Sequence, residues 1–249
     1  MSETQVYLVT GASKGLGRSI CEILANNGFT VIGLARETSE LLSLEQSLKE
    51  KNSESMICPC DLSSEAQIRS TAQKISEKFT AINGIIHNAG IIGPVGSMFE
   101  VDTKLWNETI QVNLLAVQQL TKLLHPLMVN AQRCRVTTIS SGAAVNSLQS
   151  WSAYCTSKAG LDMWTRSLAD EGSIHGISAV SVAPGIVDTD MQATIRSVSA
   201  DDFPMVERFI SFHENGDLVA PDDVAKSLFD LMTKHSMDDS GNRFDVREL

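Results

Sequence analysis

The sequence of 249 residues predicts a single α/β domain in which helices cover both faces of a doubly wound parallel sheet of about seven strands. Short runs rich in β-branched residues alternate with longer segments whose apolar residues recur at three- and four-residue steps. No proline- or glycine-rich linker, repeat or low-complexity stretch interrupts this alternation. Because 43% of the residues are hydrophobic, we expect one core that extends over residues 1–249.

The expected elements alternate along the chain. The strands are 6–10, 30–34, 56–58, 84–87, 135–139, 177–182 and a closing strand region at 241–246. The helices are 15–27, 39–51, 64–79, 105–129, 153–171 and 222–234. In a sheet built this way, ligands bind at the carboxyl ends of the strands.

Composition limits the classes of partner. The net charge is -10, and there is no dense block of Lys and Arg for a nucleic-acid backbone. The N-terminus has no basic-then-apolar leader, and no apolar stretch approaches the ~20 residues of a membrane span. We therefore expect a cytoplasmic protein that binds neither nucleic acid nor membrane.

The five cysteines are scattered and odd in number, so free thiols are expected. Cys58-Pro59-Cys60 resembles a buried strand end more than a metal site, because no second Cys/His pair completes four ligands. The histidines have no metal-ligand spacing either. The sequence predicts no metal.

A glycine-rich turn at residues 10–17 follows the first expected strand and opens the first expected helix. Gly11 allows a tight exit from the strand, and Gly15 and Gly17 let the backbone approach a pyrophosphate at the helix N-terminus. This context predicts a dinucleotide-binding loop of the Rossmann type.

The end of the second expected strand bears on the choice of cofactor. NAD-binding proteins usually have an acid there for the ribose 2′-hydroxyl. Here Arg36 comes first, and with Lys14 it offers two cations for a 2′-phosphate. The sequence therefore predicts NADP(H), although Glu37 lies where a ribose-binding acid is sometimes found.

Tyr154 and Lys158 lie four residues apart in an expected helix, so their side chains share one face. A free phenol has a pKa near ~10, and a nearby cation would favour phenolate and ease proton exchange. Ser141, upstream of this helix, could hold the oxygen that is protonated. These three residues predict a proton-transfer site.

The order of these motifs resembles that of the short-chain dehydrogenase/reductase family over nearly the whole chain. The resemblance implies a single-domain Rossmann fold, a homodimer or homotetramer, and a catalytic set of Asn113, Ser141, Tyr154 and Lys158, with Asn113 completing a proton relay through Lys158. The expected cofactor contacts are Gly11, Ser13, Lys14, Gly15, Leu16, Gly17, Arg36, Asp61, Leu62, Asn88, Tyr154, Lys158, Pro184, Gly185, Val187 and Thr189.

Within the family, residues 151–155, 183–192 and 241–246 resemble sepiapterin reductase and benzil-type diketone reductases. The expected substrate contacts are Ser141, Gly142, Tyr154, Gly185 and Asp245. Asp245 would grip a pterin, although an ordinary strand-end role explains it equally well. Residues 191–218 carry Phe203, Met205, Phe209 and Phe212, which either wall the substrate pocket or form ordinary helix core.

These observations predict an NADPH-dependent reductase of a small-molecule carbonyl substrate, a ketone or α-dicarbonyl, with Tyr154 as proton donor. Two alternatives stay open. An NAD(P)-dependent alcohol dehydrogenase or a 3-oxoacyl reductase of the same family would use the same residues. A non-catalytic protein that senses NADP(H) would keep the phosphate loop without needing the proton-transfer site.

Overall fold

The computed structural model describes residues 4–249 and contains one seven-stranded sheet in the order β3-β2-β1-β4-β5-β6-β7. All neighbouring strands are parallel. The strands are β1 (Val6–Thr10), β2 (Thr30–Ala35), β3 (Met56–Pro59), β4 (Gly84–His87), β5 (Cys134–Ile139), β6 (Ile177–Ala183) and β7 (Arg243–Asp245). The predicted parallel sheet is confirmed.

Nine α-helices connect or flank these strands within residues 4–249. They are α1 (Gly15–Asn26), α2 (Ser39–Lys51), α3 (Glu65–Lys78), α4 (Thr103–Ile110), α5 (Ala116–Asn130), α6 (Ser152–Gly172), α7 (Asp190–Arg196), α8 (Val206–Glu214) and α9 (Pro221–Lys234). Across residues 4–249, none of these helices is both long enough and apolar enough to span a membrane.

Two apolar layers cover the two faces of the sheet. Successive strand residues point to opposite faces, so Val9 packs in the layer with α1, α2 and α9, while Leu8 packs in the layer with α3, α5 and α6. Strands buried on both faces read as continuous apolar runs, which is why the sequence revealed them clearly.

The strand order reverses between β1 and β4, which are neighbours although β2 and β3 intervene in sequence. At such a switch point the chain leaves neighbouring strands in opposite directions and opens a crevice at their carboxyl ends. The glycine-rich turn after β1 lies at this crevice.

The single helix predicted over 105–129 is wrong in one respect. The structure has α4, then a π-helical turn at Gln111–Leu115, then α5. Asn113 lies in this π turn, and its fully buried side chain bonds the main chain of Ile91. Apolar periodicity does not distinguish an α turn from a π turn, whereas a long-range contact of this kind can stabilise the wider turn.

Residues 188–218 form an excursion above the carboxyl edge of the sheet that contains α7 and α8. A parallel bridge between Val187 and Val219 closes its base, and the Asp188 amide donates to the Val219 carbonyl at 2.9 Å. Asp190 is the first residue of α7. We name residues 188–218 the α7–α8 segment.

Candidate active site

The glycine-rich turn has a backbone that only glycine fits. Gly11 and Gly15 have φ values of 68° and 52°, and a Cβ on Gly17 would lie 2.1 Å from the Gly11 carbonyl oxygen. Lys14 is the N-cap of α1 but makes no side-chain cap, and the first turn contains no acid. The N–H groups of this turn therefore remain available to an anion such as a pyrophosphate.

Asn88 and Thr10 join the two strands at the switch point. The Asn88 side-chain amide donates to the Thr10 carbonyl oxygen at 3.0 Å, while Thr10 Oγ1 accepts from the main-chain amides of Asn88 and Ala89, both at 3.0 Å. Asn88 thus braces the phosphate loop. Sequence reasoning missed Thr10. Its position as the last residue of β1 is the feature that could have indicated a role at the site.

The two cations expected at a 2′-phosphate are both near the surface. Arg36 is exposed directly after β2. Lys14 Nζ pairs with the Asp190 carboxylate at 2.5 Å, but the two side chains are 62% and 73% exposed, and such surface pairs contribute little to stability. The Lys14 ammonium is therefore only weakly held by Asp190.

The remaining expected cofactor contacts also follow strands that end at this edge. Asp61 caps a turn before α3, where its Oδ1 accepts from the Ser63 amide at 2.9 Å and the Ser63 hydroxyl at 2.8 Å. Thr189 lies against the phosphate loop, with its methyl carbon 3.1 Å from the Cβ position of Gly15. Ser13 and Leu16 follow β1, Leu62 follows β3, and Pro184, Gly185 and Val187 follow β6.

Tyr154 and Lys158 lie in α6, and both are buried. Lys158 Nζ donates to the Ile139 carbonyl oxygen at 2.8 Å and lies 5.7 Å from the centroid of the Tyr154 ring. The four-residue spacing therefore brings the cation over the face of the phenol ring, as the helix geometry predicted. Burial lowers the pKa of Lys158 to about 8, and the Asp162 carboxylate opposes that shift.

The expectation that the phenol would shift toward phenolate is wrong for this structure. Burial raises the pKa of Tyr154 to about 12, and the hydrogen bond with Ser141 opposes the shift only in part. The free-energy cost of removing water from a phenolate is larger than the stabilisation that the neighbouring groups give to it. Tyr154 is therefore a protonated phenol at neutral pH, which suits a proton donor.

Ser141 follows β5 and begins a short 3₁₀ turn at Gly142–Ala144. Its Oγ accepts a hydrogen bond from the Ala143 amide at 3.1 Å. Because the amide occupies a lone pair, the hydroxyl proton remains free to be donated. Ser141 thus presents a donor next to Tyr154, and Gly142 directly follows Ser141 in the short 3₁₀ turn.

Asn113 supports the start of α6. Its Nδ2 donates to Ser157 Oγ at 2.9 Å, and Ser157 in turn donates to the Tyr154 carbonyl oxygen at 2.8 Å. Its other hydrogen bonds go to the main chain of Ile91. Asn113 and Lys158 both flank Gly90, each 3.4 Å from its Cβ position. Sequence reasoning missed Ser157, whose signal is its position one helical turn after Tyr154.

An aromatic cluster covers the other side of Tyr154. The Trp151 ring meets the Tyr154 ring edge-on at 5.6 Å, stacks on Phe203 at 5.1 Å and tilts toward Phe209 at 5.3 Å. Phe203 is fully buried. Met205 packs against the same cluster, and Phe212 contacts its outer side through Phe209. Phe203, Met205, Phe209 and Phe212 thus belong to an apolar core within residues 188–218, and Trp151 joins this core to Tyr154.

Asp245 is the last residue of β7 and pairs with Ala183 of β6, the residue directly before Pro184. Its two oxygens accept from Arg247 Nε at 2.7 Å and Nη2 at 2.6 Å. This guanidinium lowers the pKa of Asp245 to about 2. The carboxylate is thus charged and already binds a planar guanidine group, the same kind of group that a pterin ring presents.

Comparisons with known proteins agree with this geometry. Residues 5–200 match the short chain dehydrogenase family. Benzil reductase ((S)-benzoin forming) of Bacillus subtilis (strain 168) is 34% identical, covering 98% of this chain and 99% of the relative. The 3-oxoacyl-(acyl-carrier-protein) reductase FabG of Escherichia coli (strain K12) is 33% identical over 76% of each chain.

Solved structures with the same fold include two informative ones. The KRED1-Pglu enzyme superposes with a TM-score of 0.88 at 33% identity, covering 96% of this chain and 100% of that chain. A short chain dehydrogenase from Escherichia coli CFT073 complexed with NADPH superposes with a TM-score of 0.83 at 28% identity, covering 98% of this chain and 96% of that chain.

Proposed function

The chain belongs to the short-chain dehydrogenase family and is an oxidoreductase acting on carbonyl or CH–OH groups; we propose that it reduces small ketones or α-dicarbonyls with NADPH. The observation that carries this proposal is the geometry around Tyr154: Lys158 Nζ lies 5.7 Å from the centroid of its ring, and the Ser141 hydroxyl keeps a proton to donate. A phenol and a hydroxyl donor side by side can give a proton and a hydrogen bond to the same carbonyl oxygen.

NADP(H) is proposed as the cofactor because the phosphate loop fits a dinucleotide and two cations adjoin its adenosine end. The loop offers uncapped N–H groups at the start of α1 and has no room for a side chain at Gly17. Arg36 and Lys14 would hold the 2′-phosphate, with Lys14 leaving Asp190. A structural neighbour complexed with NADPH supports this choice, and Glu37 is the residue that opposes it.

Bound NADPH would supply the hydride that reduces the carbonyl carbon. Tyr154 Oη gives its proton to the carbonyl oxygen, and the Ser141 hydroxyl donates a hydrogen bond that holds the same oxygen and stabilises its growing charge. Lys158 binds the nicotinamide ribose with the ammonium protons that Ile139 does not take. Asn113 and Ser157 keep the first turn of α6, and so Tyr154, at the required position.

The aromatic cluster favours an aryl ketone or diketone as substrate. Aromatic side chains attract flat rings by stacking and edge contacts, and here Trp151 meets the Tyr154 ring edge-on with Phe203 stacked behind it. The similarity to a benzil reductase over nearly the whole of both chains supports the same substrate class. The match to a 3-oxoacyl reductase spans less of the chain, which makes a carrier-bound thioester the second choice.

We also propose a homodimer or homotetramer. Three large apolar side chains are about half exposed on α4, the π turn and α6: Leu105 at 49%, Leu115 at 50% and Met163 at 58%. A second copy of the chain would remove these surfaces from water. The molar mass in solution, measured by light scattering, tests this proposal.

A substrate panel tests the proposed function. Benzil, sepiapterin, a simple aliphatic diketone and a 3-oxoacyl thioester are each supplied with NADPH or NADH. The expected result is the highest kcat/KM for benzil with NADPH. A preference for NADH would overturn the cofactor assignment. Tight NADPH binding without turnover of any carbonyl would favour a non-catalytic sensor.

A further inference from the structure

Arg243 connects the last strand to the catalytic candidates. It lies in β7, opposite Ser181 of β6, and its guanidinium reaches across to two other elements. Nε donates to Asp162 Oδ2 at 3.0 Å, and Nη2 donates to the main-chain carbonyl oxygen of Ser141 at 3.0 Å. The Arg243 side chain is only 19% exposed. A partly buried guanidinium that donates to two partners fixes both in direction as well as distance.

Asp162 lies in α6 one turn beyond Lys158, so the two side chains share a helix face. Its side chain is 9% exposed, and within residues 4–249 its Oδ1 is buried without a hydrogen-bond partner. A buried carboxylate with a spare oxygen attracts a neighbouring ammonium strongly unless another cation balances it. Arg243 supplies that cation.

We propose that Arg243 and Asp162 form a positioning pair through which the last strand holds the Ser141 backbone and balances the charge beside Lys158. The inference rests on the proposed function for the roles of Ser141 and Lys158. It adds two residues to the site, and Arg243 lies outside the region 5–200 that matches the family.

The groups around Lys158 explain why Arg243 must offset the charge of Asp162. Tyr154 and Asp162 face Lys158 from its own helix, α6. The Ile139 carbonyl faces it from β5, while Asn113 in the π turn and Gly90 after β4 lie on its remaining side. Asp162 is the only charged group among these neighbours. Without Arg243, its full charge would draw the ammonium away from Ile139 and from the Tyr154 ring.

Four variants separate the two roles proposed for Arg243 and Asp162, which are to hold the Ser141 backbone and to balance the charge beside Lys158. Arg243→Met removes the charge and both hydrogen bonds. Arg243→Lys keeps a charge for Asp162 but cannot form the two-armed fork. Asp162→Asn removes the carboxylate, and the double variant Arg243→Met/Asp162→Asn removes both charges. Arg135→Met is the matched control, since Arg135 is buried and bonds the His235 carbonyl oxygen at 2.9 Å near the other end of the sheet.

The first readout is the titration of Lys158 in the cofactor-free protein, followed by NMR of isotope-labelled lysine and assigned with Lys158→Met. The pKa of Lys158, about 8 in the parent, should rise in Arg243→Met and fall in Asp162→Asn. Each shift should be on the order of one unit, as for a charge one helical turn away. The double variant, Arg243→Lys and Arg135→Met should stay near the parent value.

The second readout is turnover of benzil with NADPH. Arg243→Met and Arg243→Lys should both lower kcat about tenfold, the effect of one lost hydrogen bond to the loop that holds Ser141. The KM for NADPH should change little, because the phosphate loop is untouched. Arg135→Met should lower the melting temperature without lowering kcat.

Opposite shifts of the Lys158 titration distinguish this pair from a merely structural contact. Shifts in the same direction for Arg243→Met and Asp162→Asn, or shifts equal to those of Arg135→Met, would overturn the inference. An inactive parent protein with opposite shifts would instead reject the proposed function and leave the pair standing. Should Arg243→Met fail to fold, Arg243→Lys and Asp162→Asn still give the two readouts separately.

Discussion

The two sides of Tyr154 differ in chemistry and in origin. On one side Lys158, Ser141 and Ser157 are polar and hydrogen-bonded, and they come from α6 and the end of β5. On the other side Trp151 and Phe203 are aromatic, and Phe203 comes from the α7–α8 segment. The polar side is built on the sheet, whereas much of the apolar side is an addition above it.

This difference separates the residues that we expect to carry the reaction from those that we expect to select the substrate. Polar groups act only at fixed distances and angles, and here they lie at the end of β5 and on α6, a helix that packs against the sheet. Apolar contacts depend mainly on buried area and tolerate changes of shape. We therefore expect substitutions on the polar side to lower turnover of every substrate, and substitutions on the apolar side to change the preference among substrates.

The largest expected effect is at the phenol itself. Tyr154→Phe removes the proton donor but keeps the ring that packs on Trp151, so kcat should fall by roughly 10² to 10⁴ for every carbonyl while the Kd for NADPH stays nearly constant. Steady-state kinetics and a fluorescence titration measure the two quantities. Tyr7→Phe is the control, because the buried Tyr7 hydroxyl has no partner within residues 4–249. Near-parent activity of Tyr154→Phe would refute the assignment.

The next effect is the pH dependence of cofactor binding. Burial lowers the pKa of Lys158 to about 8, so its ammonium is present below that pH and is lost above it. The Kd for NADPH should therefore rise as the pH passes about 8, by up to roughly tenfold per unit. Calorimetry from pH 6.5 to 9.5 checks this, with Lys158→Met as the variant in which the step should disappear. A step of equal size in that variant would assign it to another group.

A smaller effect is expected on the apolar side. Phe203→Ala removes the ring on which Trp151 stacks, so Trp151 should shift and the KM for benzil should rise about tenfold, equivalent to about 1.4 kcal/mol of lost binding. The KM for a small aliphatic diketone should stay nearly unchanged. The loss of a fully buried ring should also cost about 3–5 kcal/mol of unfolding free energy. Phe79→Ala, in the buried layer next to α3, is the control for destabilisation alone. An equal rise in KM for benzil and for the aliphatic diketone would contradict the distinction between the polar and the aromatic side of Tyr154.

The smallest effect is expected at Asp245. Asp245→Asn releases the exposed Arg247 and removes one acceptor oxygen, so the KM for sepiapterin should rise a few-fold while kcat for benzil stays constant. The comparison of the two substrates in one kinetic series checks this. Unchanged sepiapterin kinetics would leave Asp245 a strand-end residue that only binds Arg247.

Much of the fold was readable from the chain because the strands are short continuous apolar runs and the helices are amphipathic. The boundaries of β1, β4 and α2 were predicted correctly, and others differ by one or two residues. The π turn around Asn113 escaped notice because its stabilising contact is with Ile91, a residue of another segment. Bounds for α7 and α8 were not predicted, because helices of 7 and 9 residues are too short for apolar residues to repeat over several turns.

The sequence alone determined the reaction class and the dinucleotide loop, because these depend on local spacing: Tyr154 and Lys158 one helical turn apart, and glycines between a strand and a helix. Tertiary structure decided what surrounds them. The pKa of Tyr154 is set by burial, and the contacts of Phe203 with Trp151 and of Arg243 with Asp162 join distant parts of the chain. Burial and long-range contacts depend on the path of the whole chain, which no local pattern contains.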